Sequence, residues 1–230
     1  MVQIGAGGRR RTSLVPSLVA VLFLAAAAAD AGASTRPLVL GDSISAGYGI
    51  DIADGWVRLL ADRLDDTLPG STVVNASVSG ETTSGGVVRL PGALERHSPD
   101  LVIIELGGND GLRGYPIARI RDNLTRMVSQ AREAGAEVLL IGMFVPPNYG
   151  ERYMNGFHQS FHEVAAATDA ALVPFLLDGV ATDPELMQDD GIHPTAAAQG
   201  LLLENVWPTL TRMLDIAGDG AMAASDNAGP

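Results

Sequence analysis

Short apolar segments alternate with longer amphipathic segments along most of this chain, and this alternation restricts its possible folds more than any other feature. The short segments are rich in Val, Leu and Ile without polar alternation, as strands buried on both faces are. The longer segments carry apolar residues at helical spacing. Strands are predicted at 38–40, 72–76, 101–106, 137–143 and 171–176, and helices at 56–64, 84–94, 119–134, 151–168 and 195–214.

Strands that alternate with helices predict an α/β protein with about five parallel strands in a doubly wound sheet, covered by helices on both faces. No internal repeat or linker-like stretch interrupts the pattern, so one domain is expected over residues 34–216. Residues 217–230 are small, polar and rich in Gly, and a disordered tail is expected there. In such folds functional residues gather at the carboxyl ends of the strands.

The first residues of the chain have the composition of an export signal. Three arginines at 9–11 precede an apolar run at 14–29, and small residues follow it. This order is typical of a secretory signal peptide. We therefore expect residues 1–33 to be a signal peptide, cleaved after Ala31 or Ala33, and the protein to be periplasmic or secreted. The alternative, an uncleaved anchor, is disfavoured because the run is shorter than the ~20 residues that cross a bilayer.

Two residue types are missing from the sequence, and each absence removes a class of chemistry. The chain has no Cys, which excludes disulfides, a thiolate nucleophile and a thiolate metal site. All 15 basic residues are Arg, so a Schiff-base lysine, a P-loop lysine and a Ser-Lys pair are excluded. The net charge of −12 disfavours nucleic acid and anionic membrane surfaces as partners. No sequence feature fixes an oligomeric state.

Polar, glycine-containing motifs follow three of the predicted strands, and a fourth lies near the C-terminus. They are GDSISAGYG at 41–49, SVSGE at 77–81, GGND at 107–110 and DDGIH at 189–193. Acyl transfer requires a nucleophile, a base that takes its proton, and donors that stabilise an oxyanion. The four motifs supply residues of each of these types.

The roles can be distributed among five residues. Ser43 can attack a carbonyl, and His193 can take its proton and return it to the leaving group. Asp190, three residues before His193, can hold the imidazole in the productive tautomer. The backbone N–H groups of Ser43 and Gly80 and the side-chain amide of Asn109 can stabilise the oxyanion.

Each of these residues also has a simpler interpretation when taken alone. Ser43 could be a turn cap, and Gly80 an ordinary loop glycine. Asn109 could merely tolerate a left-handed turn. Asp189 competes with Asp190 for the orienting role, although the spacing to the histidine favours Asp190. The occurrence of all four motifs in one chain favours the catalytic interpretation.

In sequence and order, the motifs resemble the conserved blocks of the GDSL, or SGNH, hydrolase family, over residues 36–214. The longer runs at 105–114, 146–153 and 187–194 are similar to its group of bacterial periplasmic acyl-CoA thioesterase I, protease I and lysophospholipase enzymes, or arylesterases. The resemblance implies a flavodoxin-like three-layer α/β/α sandwich, with no metal and no cofactor. Ile44 and Glu81 depart from the family pattern at positions that do not carry the chemistry.

Carried over position by position, the resemblance implies that Ser43 is the nucleophile and His193 the base, with Asp190 as its orienting partner. Gly80 and Asn109 become oxyanion donors. The implied activity is hydrolysis of small-molecule acyl esters and thioesters, namely aryl esters, acyl-CoA and lysophospholipids, through an acyl-enzyme. No stable membrane insertion is expected once the signal peptide is removed.

Apolar, turn-rich loops at 112–116 and 143–149 follow two of the strands and are expected to line an acyl groove. Their alternative is ordinary loop packing. The residues expected to contact the substrate are Asp42, Leu112, Tyr115, Pro146 and Ile192.

Other functions remain open at this stage. A carbohydrate O-deacetylase uses the same four motifs, a non-catalytic binding module could keep the fold, and a flavodoxin is disfavoured by the missing phosphate loop. His158 and His162 lie four apart on a predicted helix and could form a metal pair. No third ligand is evident and the HExxH pattern is absent, so no metal is expected.

Overall fold

A computed structural model describes residues 1–2 and 34–216, and five short strands form its sheet. All neighbouring strands run parallel, in the order β2-β1-β3-β4-β5. The expected signal peptide and the expected C-terminal tail lie outside the described residues. The strands are β1 (Pro37–Gly41), β2 (Val74–Asn75), β3 (Leu101–Glu105), β4 (Glu137–Ile141) and β5 (Ala171–Val173).

Helices cover both faces of the sheet. Within the described residues they are α1 (Trp56–Thr67), α2 (Thr83–His97), α3 (Gly108–Leu112), α4 (Ile117–Glu133), α5 (Glu151–Thr168) and α6 (Gln199–Met213), with short 3-10 turns at Ile52–Asp54, Pro147–Tyr149 and Ala196–Ala198. Helices α2, α4 and α5 pack on one face, and α1 and α6 on the other. No helix in this described part is long and apolar enough to cross a membrane.

The central strands are apolar throughout because both of their faces are covered. In β1, Leu38 and Leu40 join the core under α2 and α4, and Val39 joins the core under α1 and α6. All three side chains are completely buried. Successive side chains of a strand point to opposite faces, so one short run contributes to two cores.

The strand order fixes where a site can form. From β1 the chain crosses to β2 on one side, and then returns to place β3 on the other side of β1. The crossovers therefore leave β1 and β3 in opposite directions, which opens a crevice at the carboxyl ends of these two strands. The motifs that begin at Gly41 and Gly107 both open into this crevice.

The predicted α/β fold is confirmed, with differences at the ends of elements. Helix α3 forms in the GGND motif, where no helix was predicted. Helix α2 continues through Pro91, which has no N–H to donate to the Val87 carbonyl one turn earlier. Gln130 of α4 supplies that hydrogen bond instead, from Nε2 at 3.2 Å. Helix α6 begins later than predicted because residues 196–198 form a 3-10 turn.

Candidate active site

Ser43 lies in a tight turn directly after β1. Gly41 lies two residues before Ser43. A residue with a Cβ atom at this position would place that atom 2.6 Å from the Glu105 carboxylate and 2.7 Å from Ser45, too close for either contact. Glu105 Oε2 accepts hydrogen bonds from the backbone N–H of Asp42 at 3.1 Å and from the Ser45 hydroxyl at 2.6 Å. A buried side chain from β3 therefore fixes the turn that presents Ser43.

His193 and Asp190 share one loop between β5 and α6. An isolated antiparallel bridge between Met187 and Pro194 closes this loop. Asp190 Oδ1 accepts from the backbone N–H groups of Ile192 at 2.9 Å and His193 at 3.0 Å. Its Oδ2 lies 2.6 Å from His193 Nδ1. The carboxylate therefore shapes its own loop and orients the histidine ring at the same time.

The ionisation of Asp190 follows from these contacts. Desolvation raises its pKa, but the hydrogen bonds from the His193 backbone and side chain and from the Ile192 backbone outweigh it and lower the pKa to about 2. Asp190 is thus ionised at neutral pH, and a carboxylate accepts the Nδ1 proton of His193. The other ring nitrogen of His193, Nε2, faces Ser43, whose Oγ lies 2.8 Å away.

Two residues that the sequence did not single out support the histidine loop. The Tyr48 ring packs on the His193 ring with centroids 4.5 Å apart. Gln188 Nε2 donates to the carbonyls of Tyr48 at 2.8 Å and Pro194 at 3.0 Å. The Gln188 side chain therefore links the loop that holds His193 to the turn that holds Ser43.

The expected oxyanion donors lie beside the same turn. Among the described residues, the backbone N–H groups of Ser43 and Gly80 donate to no protein acceptor. Gly80 has φ +78°, a left-handed conformation that favours glycine. The segment before it is tied to the turn by the N–H of Val78, which donates to the Gly41 carbonyl at 3.0 Å. Asn109 Nδ2 donates one hydrogen to Asp42 Oδ2 at 3.0 Å.

Asp110 connects the Asn109 and Gly80 segments. It is completely buried, and its carboxylate accepts from the Thr83 N–H at 2.8 Å and the Thr83 hydroxyl at 2.7 Å. Asn123 of α4 donates to the same hydroxyl at 3.0 Å. The beginning of α2 and the beginning of α3 are therefore held together just behind the expected oxyanion donors.

Two buried carboxyl groups lie beneath Ser43. Burial raises the pKa of Asp42 to about 6, although hydrogen bonds from the Ile44 N–H and from Asn109 act in the opposite direction. Burial, and then the charge of Asp42, raise the pKa of Glu105 well above its usual value. Glu105 Oε1 is buried, and the described residues provide no hydrogen-bond partner for it.

The residues expected to bind substrate fall into two groups. Asp42 is only 3% exposed and contacts Asn109, so it supports the site from below. Ile192 is 38% exposed beside His193. Leu112 and Tyr115 are half-buried and Pro146 is exposed. Two tyrosine hydroxyls, one from the 143–149 loop and one from α5, donate hydrogen bonds to the 112–115 segment. These bonds are Tyr149 Oη to the Leu112 carbonyl, 2.6 Å, and Tyr153 Oη to the Tyr115 carbonyl, 2.7 Å.

The arrangement as a whole combines a hydroxyl, an imidazole placed to accept its proton, an ionised carboxylate behind that imidazole, and unpaired N–H donors. This set is suited to nucleophilic attack on a carbonyl carbon. In residues 34–216, no cluster of three or more His, Asp or Glu side chains is placed to hold a metal ion.

Comparisons with known proteins agree with this chemistry. The model of the GDSL-like lipase/acylhydrolase family matches residues 39–201. Esterase TesA of Pseudomonas aeruginosa is 55% identical over 177 residues, covering 77% of this chain and 88% of its own. Thioesterase 1/protease 1/lysophospholipase L1 of Escherichia coli K12 is 40% identical over 183 residues, 80% of this chain and 86% of its own.

A crystal structure of TesA superposes with a TM-score of 0.76 at 54% identity, covering 78% of this chain and 99% of that one. Fold, sequence and the named relatives agree, and the expected enzyme class, a hydrolase with esterase and thioesterase relatives, is confirmed. The chain belongs to the GDSL-like lipase/acylhydrolase family.

Proposed function

We propose that this enzyme hydrolyses acyl esters and thioesters through a covalent acyl-enzyme on Ser43. The observation that carries the proposal is the continuous chain of contacts from Ser43 Oγ to His193 Nε2, 2.8 Å, and from His193 Nδ1 to Asp190 Oδ2, 2.6 Å. Because Asp190 is ionised and accepts the Nδ1 proton, the imidazole presents its basic nitrogen to the serine.

In the first half of the reaction, Ser43 Oγ attacks the acyl carbonyl carbon and its proton passes to His193 Nε2. The N–H groups of Ser43 and Gly80 and the second Nδ2 hydrogen of Asn109 stabilise the oxyanion of the tetrahedral intermediate. His193 then protonates the leaving alkoxide or thiolate as its bond to the acyl carbon breaks. In the second half, His193 activates a water molecule, which releases the acid and regenerates Ser43.

The surroundings of the Ser43–His193 pair favour apolar substrates. Three exposed hydrophobic residues belong to the segments that form the site: Tyr48 at 54% exposure, Val78 at 47% and Ile192 at 38%. An acyl chain or an aromatic leaving group would cover this surface, whereas a sugar hydroxyl would leave it exposed. The names of the relatives, an esterase and a thioesterase/lysophospholipase, support aryl esters, acyl-CoA and lysophospholipids as substrate classes.

Replacement of the nucleophile tests the proposal. Ser43→Ala should lower kcat for a p-nitrophenyl ester by roughly 10⁴–10⁶-fold, as removal of a catalytic serine does in other hydrolases. A fluorophosphonate probe should label the wild type at Ser43 and leave Ser43→Ala unlabelled. Comparison of p-nitrophenyl acetate with p-nitrophenyl octanoate as substrates of the wild type separates an acyl esterase from a deacetylase. Unchanged turnover in Ser43→Ala would exclude the acyl-enzyme.

We also propose that the enzyme acts after export, without nucleic acid and without stable insertion in a membrane. The arginines at 9–11 and the apolar run at 14–29 support export. The net charge of −12 opposes binding to phosphate-rich surfaces. Mass spectrometry of the exported protein tests the expected cleavage after Ala31 or Ala33.

A further inference from the structure

Two histidines of α5 lie outside the catalytic arrangement and contact each other. His158 and His162 are one helical turn apart, so their side chains share one face of the helix. Their Nε2 atoms are 3.3 Å apart, and their ring planes are inclined by 73°. Both residues are half-buried, so solvent reaches the pair. No step of the proposed reaction uses them.

His158 is held in one orientation by residues that follow β4 and β5. Its Nδ1 lies 3.3 Å from the Met143 carbonyl, which can only accept, so the ring proton is on Nδ1 and the Nε2 electron pair accepts the hydrogen bond from His162 Nε2. The Phe144 ring stacks on the imidazole, with centroids 3.8 Å apart and planes at 15°. Phe175 packs edge-on against Phe144 at 4.9 Å. A backbone carbonyl on the far nitrogen is also the usual partner of a metal-bound histidine.

The separation of the two Nε2 atoms matches the requirement of a tetrahedral metal ion. With bonds of about 2.0–2.1 Å, two nitrogen ligands of such an ion lie about 3.3 Å apart. We propose that His158 and His162 together bind one divalent transition-metal ion, Zn²⁺, Ni²⁺ or Cu²⁺, between their Nε2 atoms. The ion takes the place of the hydrogen bond between the two Nε2 atoms, and binding requires the ring proton of His162 to be on Nδ1.

The remaining coordination positions belong to water. In residues 34–216 no third His, Asp or Glu joins the pair, so the affinity is expected to be in the micromolar range rather than that of a structural zinc site. Imidazole ligands select zinc, nickel and copper, whereas Mg²⁺ and Ca²⁺ require oxygen ligands. From the sequence, His158 and His162 were a possible metal pair that the lack of a third ligand disfavoured. Spacing alone cannot show how a side chain is held, and the structure supplies that orientation.

Calorimetric titration of the full chain with ZnCl₂ tests the site. One ion should bind per chain, and MgCl₂ should not compete with it. His158→Gln and His162→Gln should each weaken binding at least about tenfold, because each removes one of two ligands. His97→Gln is the matched control, since it removes a half-buried histidine at the end of a different helix and should keep wild-type affinity.

A second measurement separates loss of the site from loss of the fold. ZnCl₂ should raise the thermal unfolding midpoint of the wild type and of His97→Gln, but not that of His162→Gln, because only a bound ion stabilises the folded state. Without metal, all variants should hydrolyse p-nitrophenyl esters at the wild-type rate. Equal zinc affinity in the wild type and His162→Gln would overturn the proposal. So would loss of binding when a fluorophosphonate blocks Ser43, which would place the ion at His193.

Discussion

The carboxylate of Asp42 lies between the nucleophile turn and the amide of Asn109. Its Oδ1 accepts from the Ile44 N–H at 3.1 Å and its Oδ2 from Asn109 Nδ2 at 3.0 Å. Because a carboxylate can only accept, the second contact turns the NH₂ group of Asn109, rather than its oxygen, towards Asp42. The remaining Nδ2 hydrogen is then available to the substrate oxyanion. Asp42 therefore orients the side chain of Asn109, the proposed oxyanion donor.

Asp42 also makes the stability of the protein depend on pH. Its pKa is raised from 3.8 to about 6, mainly by burial, so the folded state binds the proton more tightly than the unfolded state. The stabilisation of the folded state by this proton is complete below pH 3.8 and is lost as the pH rises through about 6. Asp42→Asn does not titrate, so its stability relative to the wild type should increase from pH 4 to pH 7, by up to about 3 kcal/mol.

Urea unfolding of the two proteins across this pH range measures the difference. Ser43→Ala, which removes a hydroxyl without changing either buried acid, serves as the control and should follow the wild-type pH dependence. A constant difference between Asp42→Asn and the wild type from pH 4 to pH 7 would contradict the assigned titration.

Motif spacing was sufficient to select Ser43, Asp190 and His193, and their catalytic roles remain predictions that the distances in the structure support. The contribution of Gln188 could not be predicted, because its hydrogen bond to Tyr48 joins residues 140 positions apart. The contact of Glu105 with the nucleophile turn could not be predicted for a related reason. In the sequence, Glu105 is simply the last residue of a buried strand. Its contact with the Gly41 turn exists only because β1 and β3 are neighbours.

At the scale of single elements, α2 shows how a proline can lie within a helix. Pro91 leaves the Val87 carbonyl without its helical partner, and Gln130 of α4 donates to that carbonyl at 3.2 Å. The hydrogen bond between helices takes the place of one within the helix. It also joins α2 to α4, which pack side by side on the sheet.

A double-mutant cycle tests this exchange. Gln130→Ala should destabilise the wild type by about 1 kcal/mol, the usual net contribution of one hydrogen bond. In a Pro91→Ala background the restored N–H can donate to Val87, so the same change should cost much less. Chemical unfolding of the four proteins gives the coupling energy. An equal cost of Gln130→Ala in both backgrounds would show that the glutamine does not compensate for the proline.

The long helices and central strands could be predicted because the spacing of apolar residues within each segment shows which of its faces are buried. Helix α3 was not, since glycine is a poor helix former and GNDGL contains two. The helix forms for a tertiary reason: at Gly111 a Cβ atom would lie 2.4 Å from Val145 and 2.9 Å from Phe157. Only a glycine lets α3 approach these side chains, and that approach sets the position of Asn109.

At the scale of the whole molecule, residues 34–216 contain both cores and every residue placed in the site. A chain of residues 34–216 should therefore unfold cooperatively and hydrolyse p-nitrophenyl octanoate with the kcat/KM of the longer chain. Thermal unfolding followed by circular dichroism and steady-state kinetics measure both properties. A fall in kcat/KM of about tenfold or more would show that residues outside this range contribute to the site.

The His193–Asp190 contact joins residues three positions apart, whereas the His193–Ser43 contact spans 150 positions. The first can form within a short loop early in refolding, and the second only after the chain between them has assembled, because distant contacts require the closure of long loops. Recovery of ester hydrolysis therefore reports the last stage of assembly rather than helix formation. Ester hydrolysis can therefore serve as an assay for the completion of folding.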